Sequence, residues 1–239
     1  MRKTERYLCI LLISVFFVGC NTTKFVPEGK YLLDKVDIKT DVRSIKKNEL
    51  YDYLRQTPNN SAFGLFRTQL GIYSLAGKDT TKWLNRFLMK IGEEPVIFNP
   101  TLTDLSAQQL QLCFANKGYL NSKVDTKIEF YDKKARVEYI ITSNQPYRIK
   151  NYNVQIPHNE LAKIANDTLR SLIHRNMLFD IDVLDAERER ITSRFRQMGY
   201  YNFRKDFLSY TADTTIASHQ VDLTLHLNDN LLNPTDSLY

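Results

Sequence analysis

The chain has 239 residues, and its 33 Lys and Arg against 27 Asp and Glu give a formal net charge of +6. No run of basic residues reaches the length typical of a nucleic-acid surface, so we expect no nucleic-acid partner. We find no glycine-rich phosphate loop, no serine nucleophile elbow and no histidine pair at metal-ligand spacing. We therefore expect neither an enzyme nor a metal or other cofactor.

The first predicted element is a secretory signal over residues 1–19. Three basic residues near the N-terminus precede an apolar run of thirteen residues, 7–19. A membrane-spanning helix needs about 20 apolar residues, so this run is typical of a signal peptide instead. The run ends at Phe17-Val18-Gly19-Cys20, which resembles a bacterial lipobox. This resemblance implies lipid attachment at Cys20; the alternative is an ordinary signal peptide with a chance cysteine.

The remaining cysteines predict an exported protein without disulfides. Cys9 would leave with the signal and Cys20 would carry the lipid, which leaves Cys113 without a partner. Cys113 lies between apolar residues of a helical pattern, so we interpret it as a packing residue.

A short tether over 20–30 is followed by a first predicted domain, residues 31–145. Its elements in chain order are a strand at 31–38, a helix at 47–56, an insertion at about 57–101, a helix at 102–118 and strands at 122–130 and 135–142. The strands alternate apolar and polar residues, which predicts one buried and one exposed face.

The insertion ends in an amphipathic helix whose apolar residues form one stripe: Trp83, Leu84, Phe87, Leu88 and Ile91. We expect this stripe to pack against the first domain. The alternative is a docking surface for a partner, with Trp83 as its anchor.

The second predicted domain, 146–229, repeats the first at a fixed offset of 81 residues. Asp104 matches Asp185, Phe114 matches Phe195, and Gly118-Tyr119 matches Gly199-Tyr200. Its elements are a strand at 147–156, a helix at 159–172, a helix ending at Gly199, and strands at 203–211 and 219–228. Residues 230–239 are polar and predict a linker toward a missing C-terminal part.

Within each repeat, the second helix carries the strongest pattern. We expect Asp104 and Asp185 to be N-caps and both glycines to end their helices in a left-handed conformation. The apolar face predicts buried residues: Leu110, Phe114, Leu184, Ile191, Phe195 and Met198. The charged residues predict a solvated outer face: Glu187, Arg190, Arg194 and Arg196.

The order strand, helix, helix, strand, strand, with Gly-Tyr after the second helix, resembles the polypeptide-transport-associated (POTRA) domain. The motif RITSRFRQMGYYNFRKDFLSY resembles the repeats before the barrel in BamA and TamA relatives. The segments TKFVPEGKYLLDKVDI, GEEPVIFNP and NQPYRIKNYNV resemble the lipid-anchored TamA-like proteins of Bacteroidota, the TamL family, over nearly the whole chain. The resemblance implies an α+β chain of two tandem POTRA domains, truncated before the barrel. Each domain would be a three-stranded mixed sheet with two helices on one face.

The resemblance also implies a function in outer-membrane protein assembly or translocation. The second strand of each domain would be a sheet edge that pairs with extended client chains. The candidate partner-binding residues are Val124, Thr126, Ile128, Phe203, Lys205, Phe207 and Ser209.

The implied partners are the outer membrane, unfolded outer-membrane protein clients, and other assembly-machine or TamB-like proteins. The stretch NTTK after Cys20 has no acidic residue, so we expect the domains in the periplasm rather than at the cell surface. The alternative function is a structural lipoprotein that positions a partner without contacting clients.

Overall fold

The computed structural model describes residues 21–61, 67–215 and 219–228. Around the first sheet the elements are β1 (Leu32–Thr40), α1 (Lys47–Tyr51), α2 (Thr68–Leu75), α3 (Trp83–Ile91), α4 (Pro100–Asn116), β2 (Lys123–Tyr131) and β3 (Lys134–Thr142). Around the second they are β4 (Arg148–Gln155), α5 (Asn159–Ala165), α6 (Ile181–Gln197), a 3₁₀ turn (Lys205–Phe207), β5 (Leu208–Asp213) and β6 (Gln220–Leu227). The predicted α+β class and the order strand, helix, helix, strand, strand are confirmed in both repeats.

By backbone contacts the chain divides into two compact units. In the described residues, the first compact unit contains 21–39, 54–61, 67–107 and 125–140. The second compact unit contains 40–53, 108–124, 141–215 and 219–228. This division follows contacts rather than the repeat, and the domain boundary at 145/146 stays a prediction.

The first sheet has the strand order β1-β3-β2, so its last strand in sequence is central. Alternate residues of β3 are buried: Ala135, Val137, Tyr139 and Ile141. The strands β2 and β3 are joined at Asp132 and Lys133, whose φ values of 43° and 59° are both positive. Two such residues are typical of a type I′ hairpin turn, which matches the right-handed twist of the strands.

The second sheet has the order β4-β6-β5, and β6 is again central. β6 pairs with β4 in parallel and with β5 antiparallel, so the predicted mixed sheet is confirmed here. Its buried face is apolar: Val221, Leu223, Leu225 and Leu227. Leu225 and Leu227 pack in a cluster with α5 and with Ile191 and Phe195 of α6. Val221 and Leu223 pack in a second cluster that contains Leu184 of α6.

The helix starts differ from the prediction. α4 begins at Pro100 and α6 at Ile181, so Asp104 and Asp185 lie inside helices and are not N-caps. Asn99 accepts from the N–H of Thr101 at 2.9 Å, and Asp180 accepts from the N–H of Asp182 at 2.9 Å. These two residues stand at the same offset of 81 and satisfy free N–H groups of the first turn. The predicted helices at 47–56 and 159–172 are also shorter than expected.

The helix ends agree with the prediction. Gly118 and Gly199 have φ values of 91° and 107°, which a residue with a Cβ rarely adopts. The tyrosine after each glycine folds back, since Tyr119 N–H donates to Phe114 O at 2.9 Å and Tyr200 N–H to Phe195 O at 3.2 Å. Both rings also contact the phenylalanine rings.

Two side chains, one in α6 and one directly after it, contradict the predicted faces. Met198 was expected in the core, but it is 50% exposed at the end of the helix. Glu187 was expected in solvent, but it is fully buried.

Candidate functional site

The outer edge of β1 is partly covered by the end of the insertion. Ile97 forms an antiparallel bridge with Leu32. On either side of this bridge, Leu33 N–H donates to Val96 O and Phe98 N–H donates to Tyr31 O, both at 2.8 Å. The backbone groups at this end of β1 are therefore already paired.

The outer edge of β4 is covered in the same way. Leu178 forms an antiparallel bridge with Arg148, and Phe179 N–H donates to Tyr147 O at 3.0 Å. Ile97 and Leu178 stand at the offset of 81 residues, so the repeat includes these covering segments. Because the first strand of each sheet is covered at its start, β2 and β5 remain as the candidate open edges.

Successive backbone N–H and C=O groups of β5 point alternately toward β6 and away from it. Asn228 N–H donates to Phe207 O at 2.7 Å, and the register pairs Leu208 with Leu227. In an antiparallel pair the bonded positions alternate, so the N–H and C=O groups of Leu208, Tyr210 and Ala212 point away from β6. Leu208 O accepts from Arg188 at 3.1 Å, as this alternation requires.

The predicted strand at 203–211 begins only at Leu208, which corrects three candidate residues. Phe203 and Phe207 are buried and their rings meet edge to face at 5.3 Å, so they belong to the core and not to an edge strand. Lys205 lies in the 3₁₀ turn and forms an ion pair with Asp185 at 2.8 Å. Ser209 lies in β5 and is exposed.

On β2 the structure places Val124, Thr126 and Ile128 in an edge strand. Val124 and Thr126 are half-buried, and Ile128 is exposed. Further along the same strand, the ring of Phe130 lies 4.4 Å from that of Tyr31 and remains half-exposed. This edge therefore carries partly uncovered apolar side chains, a suitable surface for the alternate side chains of an added strand.

The buried carboxylate of Glu187 connects α6 to the loop before it through hydrogen bonds. Arg190 donates to both carboxylate oxygens at 2.8 Å. Ser171 Oγ and Leu172 N–H each donate at 3.0 Å. Burial by itself would raise the pKa of Glu187, but these donors hold the pKa below its ordinary value. The sequence showed only a charged helix position, and the Glu-Arg spacing of three residues was the available signal.

The apolar stripe of the insertion does not pack as expected. α3 has no buried residue. Trp83 is 71% exposed, and Leu84, Phe87 and Ile91 are between 46% and 51% exposed. Gly92 has a φ of −83°, so it is not a left-handed helix end. Packing against the first domain is therefore wrong for most of the stripe.

Cys20, the signal at 1–19 and the tail at 230–239 lie outside the described residues. Cys113 is buried, and burial raises the pKa of its thiol, which disfavours the reactive thiolate. No cluster of three His, Cys, Asp or Glu side chains in the described ranges could hold a metal ion. In the same ranges, no helix combines the length and apolarity needed to span a bilayer.

No protein-family model matches the chain, and no curated protein matches it. Solved structures do match. The chain is similar to POTRA domains 3–5 of BamA from Haemophilus influenzae, with 15% identity, 85% of this chain, 68% of that chain and a TM-score of 0.43. It is also similar to BamA from Haemophilus ducreyi lacking POTRA domains 1–3, with 12% identity, 82% of this chain, 29% of that chain and a TM-score of 0.39. POTRA domains 1–3 of Omp85 from Anabaena match with 12% identity, 83% of this chain, 62% of that chain and a TM-score of 0.39. The chain spans less than two thirds of the latter two.

Proposed function

We propose that this chain is the periplasmic POTRA module of an outer-membrane lipoprotein of the TamL type. The module takes part in the assembly or translocation of outer-membrane proteins. Its β2 and β5 edges bind extended client segments by adding them as a further strand. The chain is not an enzyme in this proposal.

The observation that carries the proposal is the asymmetry of the sheet edges. In both sheets the first strand is covered by a chain segment at the same repeat position, while the second strand is left at the edge. An uncovered edge strand offers unpaired N–H and C=O groups to which another extended chain can pair. On β5 the outward groups of Tyr210 and Ala212 are positioned to pair with another backbone.

Recognition through the main chain suits varied clients. A pairing strand is bound by its N–H and C=O groups, which every non-proline residue carries, so many sequences fit one edge. The half-exposed Ile128 and Phe130 on β2 would add a preference for apolar residues at alternate positions. Transmembrane β-strands carry this alternation.

The anchor is the second part of the proposal. Lipid on Cys20 would attach the domains to the periplasmic face of the outer membrane, and several acyl chains on one residue make a durable anchor. Other assembly-machine or TamB-like proteins would then meet the module at this membrane. The lipobox resemblance and the absence of acidic residues in NTTK support this placement.

The test uses proline on the two faces of the β5 backbone. Ala212→Pro removes an outward N–H and should leave the β6 ladder intact, because edge strands tolerate proline when the missing N–H faces out. We expect this variant of residues 21–239 to fold and to bind a labelled, alternating β-strand peptide at least about fivefold more weakly. The physical reason is that proline lacks the N–H that would pair with the client, while its side chain stays apolar. Amide chemical shifts from NMR titration measure both affinity and location.

Two matched variants complete the test. Ser209→Lys changes an exposed side chain of the same strand and should bind nearly as well as the unchanged chain, since the contact is main-chain. Thr211→Pro removes an N–H that points to β6 and should destabilise the sheet, which confirms the assigned alternation. If peptide shifts avoid 208–213 and 123–131, or if Ala212→Pro binds normally, strand addition is wrong and the spacer function replaces it.

A further inference from the structure

The α3 helix presents an exposed face with two adjacent chemistries. At about 100° per residue, Trp83, Phe87, Ile91 and Leu84 span an arc of roughly 100°. Lys82, Arg86 and Lys90 occupy the next arc, beside Trp83. Within the described part of the chain, none of these three cations has a carboxylate at ion-pair distance. The helix is therefore apolar on one exposed arc and basic on the other.

The side of α3 that is not exposed faces α2. Asn85 accepts from Gly77 N–H at 2.9 Å and donates to Asp79 O at 2.7 Å, which fixes the turn between the two helices. A Cβ on Gly92 would lie 2.5 Å from the backbone nitrogen of Tyr73, so the end of α3 is in close contact with α2. The apolar arc therefore lies on the outer side of the α2–α3 hairpin and is exposed within the described chain.

The start of the described chain is fastened to this hairpin. The ammonium of Lys24 donates to Ala76 O at 2.6 Å and to Ser74 O at 3.2 Å. The ring of Phe25 meets that of Tyr73 edge to face at 5.2 Å. Cys20 lies only four residues before Lys24, so its Cα lies at most about 14 Å from the Cα of Lys24. A lipid on Cys20 would therefore place the bilayer surface within reach of this hairpin.

We propose that the exposed face of α3 docks on the lipid surface to which Cys20 is anchored. Trp83, Phe87 and Ile91 enter the boundary between headgroups and acyl chains, and Lys82, Arg86 and Lys90 contact lipid phosphates. An interfacial helix has this composition, with aromatic and aliphatic residues on one side and Lys or Arg on the other. The inference rests on the proposed anchor at Cys20 but not on client binding.

Docking through α3 would give the module a second membrane contact. α3 has nine residues, so its own membrane affinity is weak, and the tether supplies the local concentration that makes the contact persist. With only one flexible tether the domains would rotate freely over the membrane. With two contacts the first compact unit has a fixed orientation to the lipid.

The test exploits Trp83, the single tryptophan of the chain. Residues 20–239, which contain every contact described above, are coupled through Cys20 to a maleimide lipid in vesicles of phosphatidylethanolamine with a minority of phosphatidylglycerol. Cys113→Ala prevents coupling at the buried thiol. We expect Trp83 emission to shift to shorter wavelength on tethering and to be quenched by brominated lipid. Because the tether is chemical, the result does not depend on whether cells acylate Cys20.

The control variants separate docking from folding. The double change Phe87→Glu and Ile91→Glu alters exposed positions, so it should keep the circular dichroism spectrum and lose the quenching. Leu169→Glu changes a side chain that is 95% exposed in the second compact unit and should keep the quenching. Unchanged Trp83 emission on tethering overturns the proposal. A shift that depends on protein concentration without vesicles also overturns it, because a second copy would then cover the face.

Discussion

Removing the buried carboxylate of Glu187 should destabilise the second compact unit. In Glu187→Ala, Arg190 loses two hydrogen bonds and Leu172 N–H loses its acceptor. Breaking a buried pair by removing one partner costs about 3–5 kcal/mol. The Arg190 side chain is 19% exposed and can turn toward water, so we expect a loss near the lower end, about 3 kcal/mol. Glu189→Ala changes an exposed carboxylate two residues away and should alter stability by less than about 0.5 kcal/mol.

Urea unfolding of residues 21–239, followed by far-ultraviolet circular dichroism, measures the loss. Because two compact units need not unfold together, hydrogen exchange of β6 peptides supplies a local reading in the second unit. In a double-mutant cycle, Arg190→Ala should couple to Glu187→Ala by about 2 kcal/mol, since either change already breaks the pair. If Glu187→Ala and Glu189→Ala unfold at the same urea concentration, the buried ion pair does not stabilise the unit and the reasoning fails.

The carboxylate of Glu187 also predicts how the folding stability changes at acid pH. Its donors lower the pKa of Glu187 in the folded chain below the ordinary value of 4.5. A lowered folded pKa means that the contribution to stability is complete above about pH 4.5 and is lost as the pH falls through the folded pKa. Glu187→Ala should therefore lose less stability than the unchanged chain on acidification below pH 4.5. If the free energy of unfolding falls equally for the two chains below pH 4.5, the lowered pKa of Glu187 is contradicted.

Two further predictions concern the glycines and the anchor. Gly199→Ala should lower the free energy of unfolding by about 1 kcal/mol. An added Cβ would meet no atom within 4 Å, so the loss comes only from the φ of 107°, which residues with a Cβ rarely adopt. Gly118→Ala should cost more, since its Cβ would lie 2.9 Å from Phe179 O; equal urea midpoints for the two variants would refute the difference. Cys20→Ala in the full chain should abolish labelling by a fatty-acid analogue in cells. Equal label on both chains would show that Cys20 is not the attachment residue.

The parts of the fold that were predictable from the sequence depend on interactions between residues that are close in sequence. A glycine after an apolar helical stripe ends the helix, and alternating residues around Asp132 and Lys133 form a hairpin. The true cap positions were also accessible, since Asn99 precedes Pro100, a residue favoured in the first helical turn. The duplication at the offset of 81 extends to these caps, Asn99 and Asp180.

The errors arose where tertiary contacts decide the outcome. Phe203 and Phe207 have high strand propensity, but both pack as core residues before the strand begins. Glu187 is charged, yet three neighbouring donors allow its burial. The covering segments at 96–98 and 176–179 pair with strands distant in sequence, so no local pattern could indicate which edges remain open.

Because β6 is both the central strand and the last in sequence, the second sheet can be completed only when residues 220–227 are available. Ile149 pairs with Val221, so roughly 70 residues must be made before the first strand of this sheet finds its neighbour. Until then β4 has no partner strand in this sheet, because β4 and β5 do not pair with each other. A chain delivered from its N-terminus leaves β4 unpaired until residues 220–227 arrive, whereas β5 precedes them by only a few residues. Completion of this sheet therefore requires β6 to pair on both of its sides at a late stage, rather than a stepwise addition of neighbouring strands.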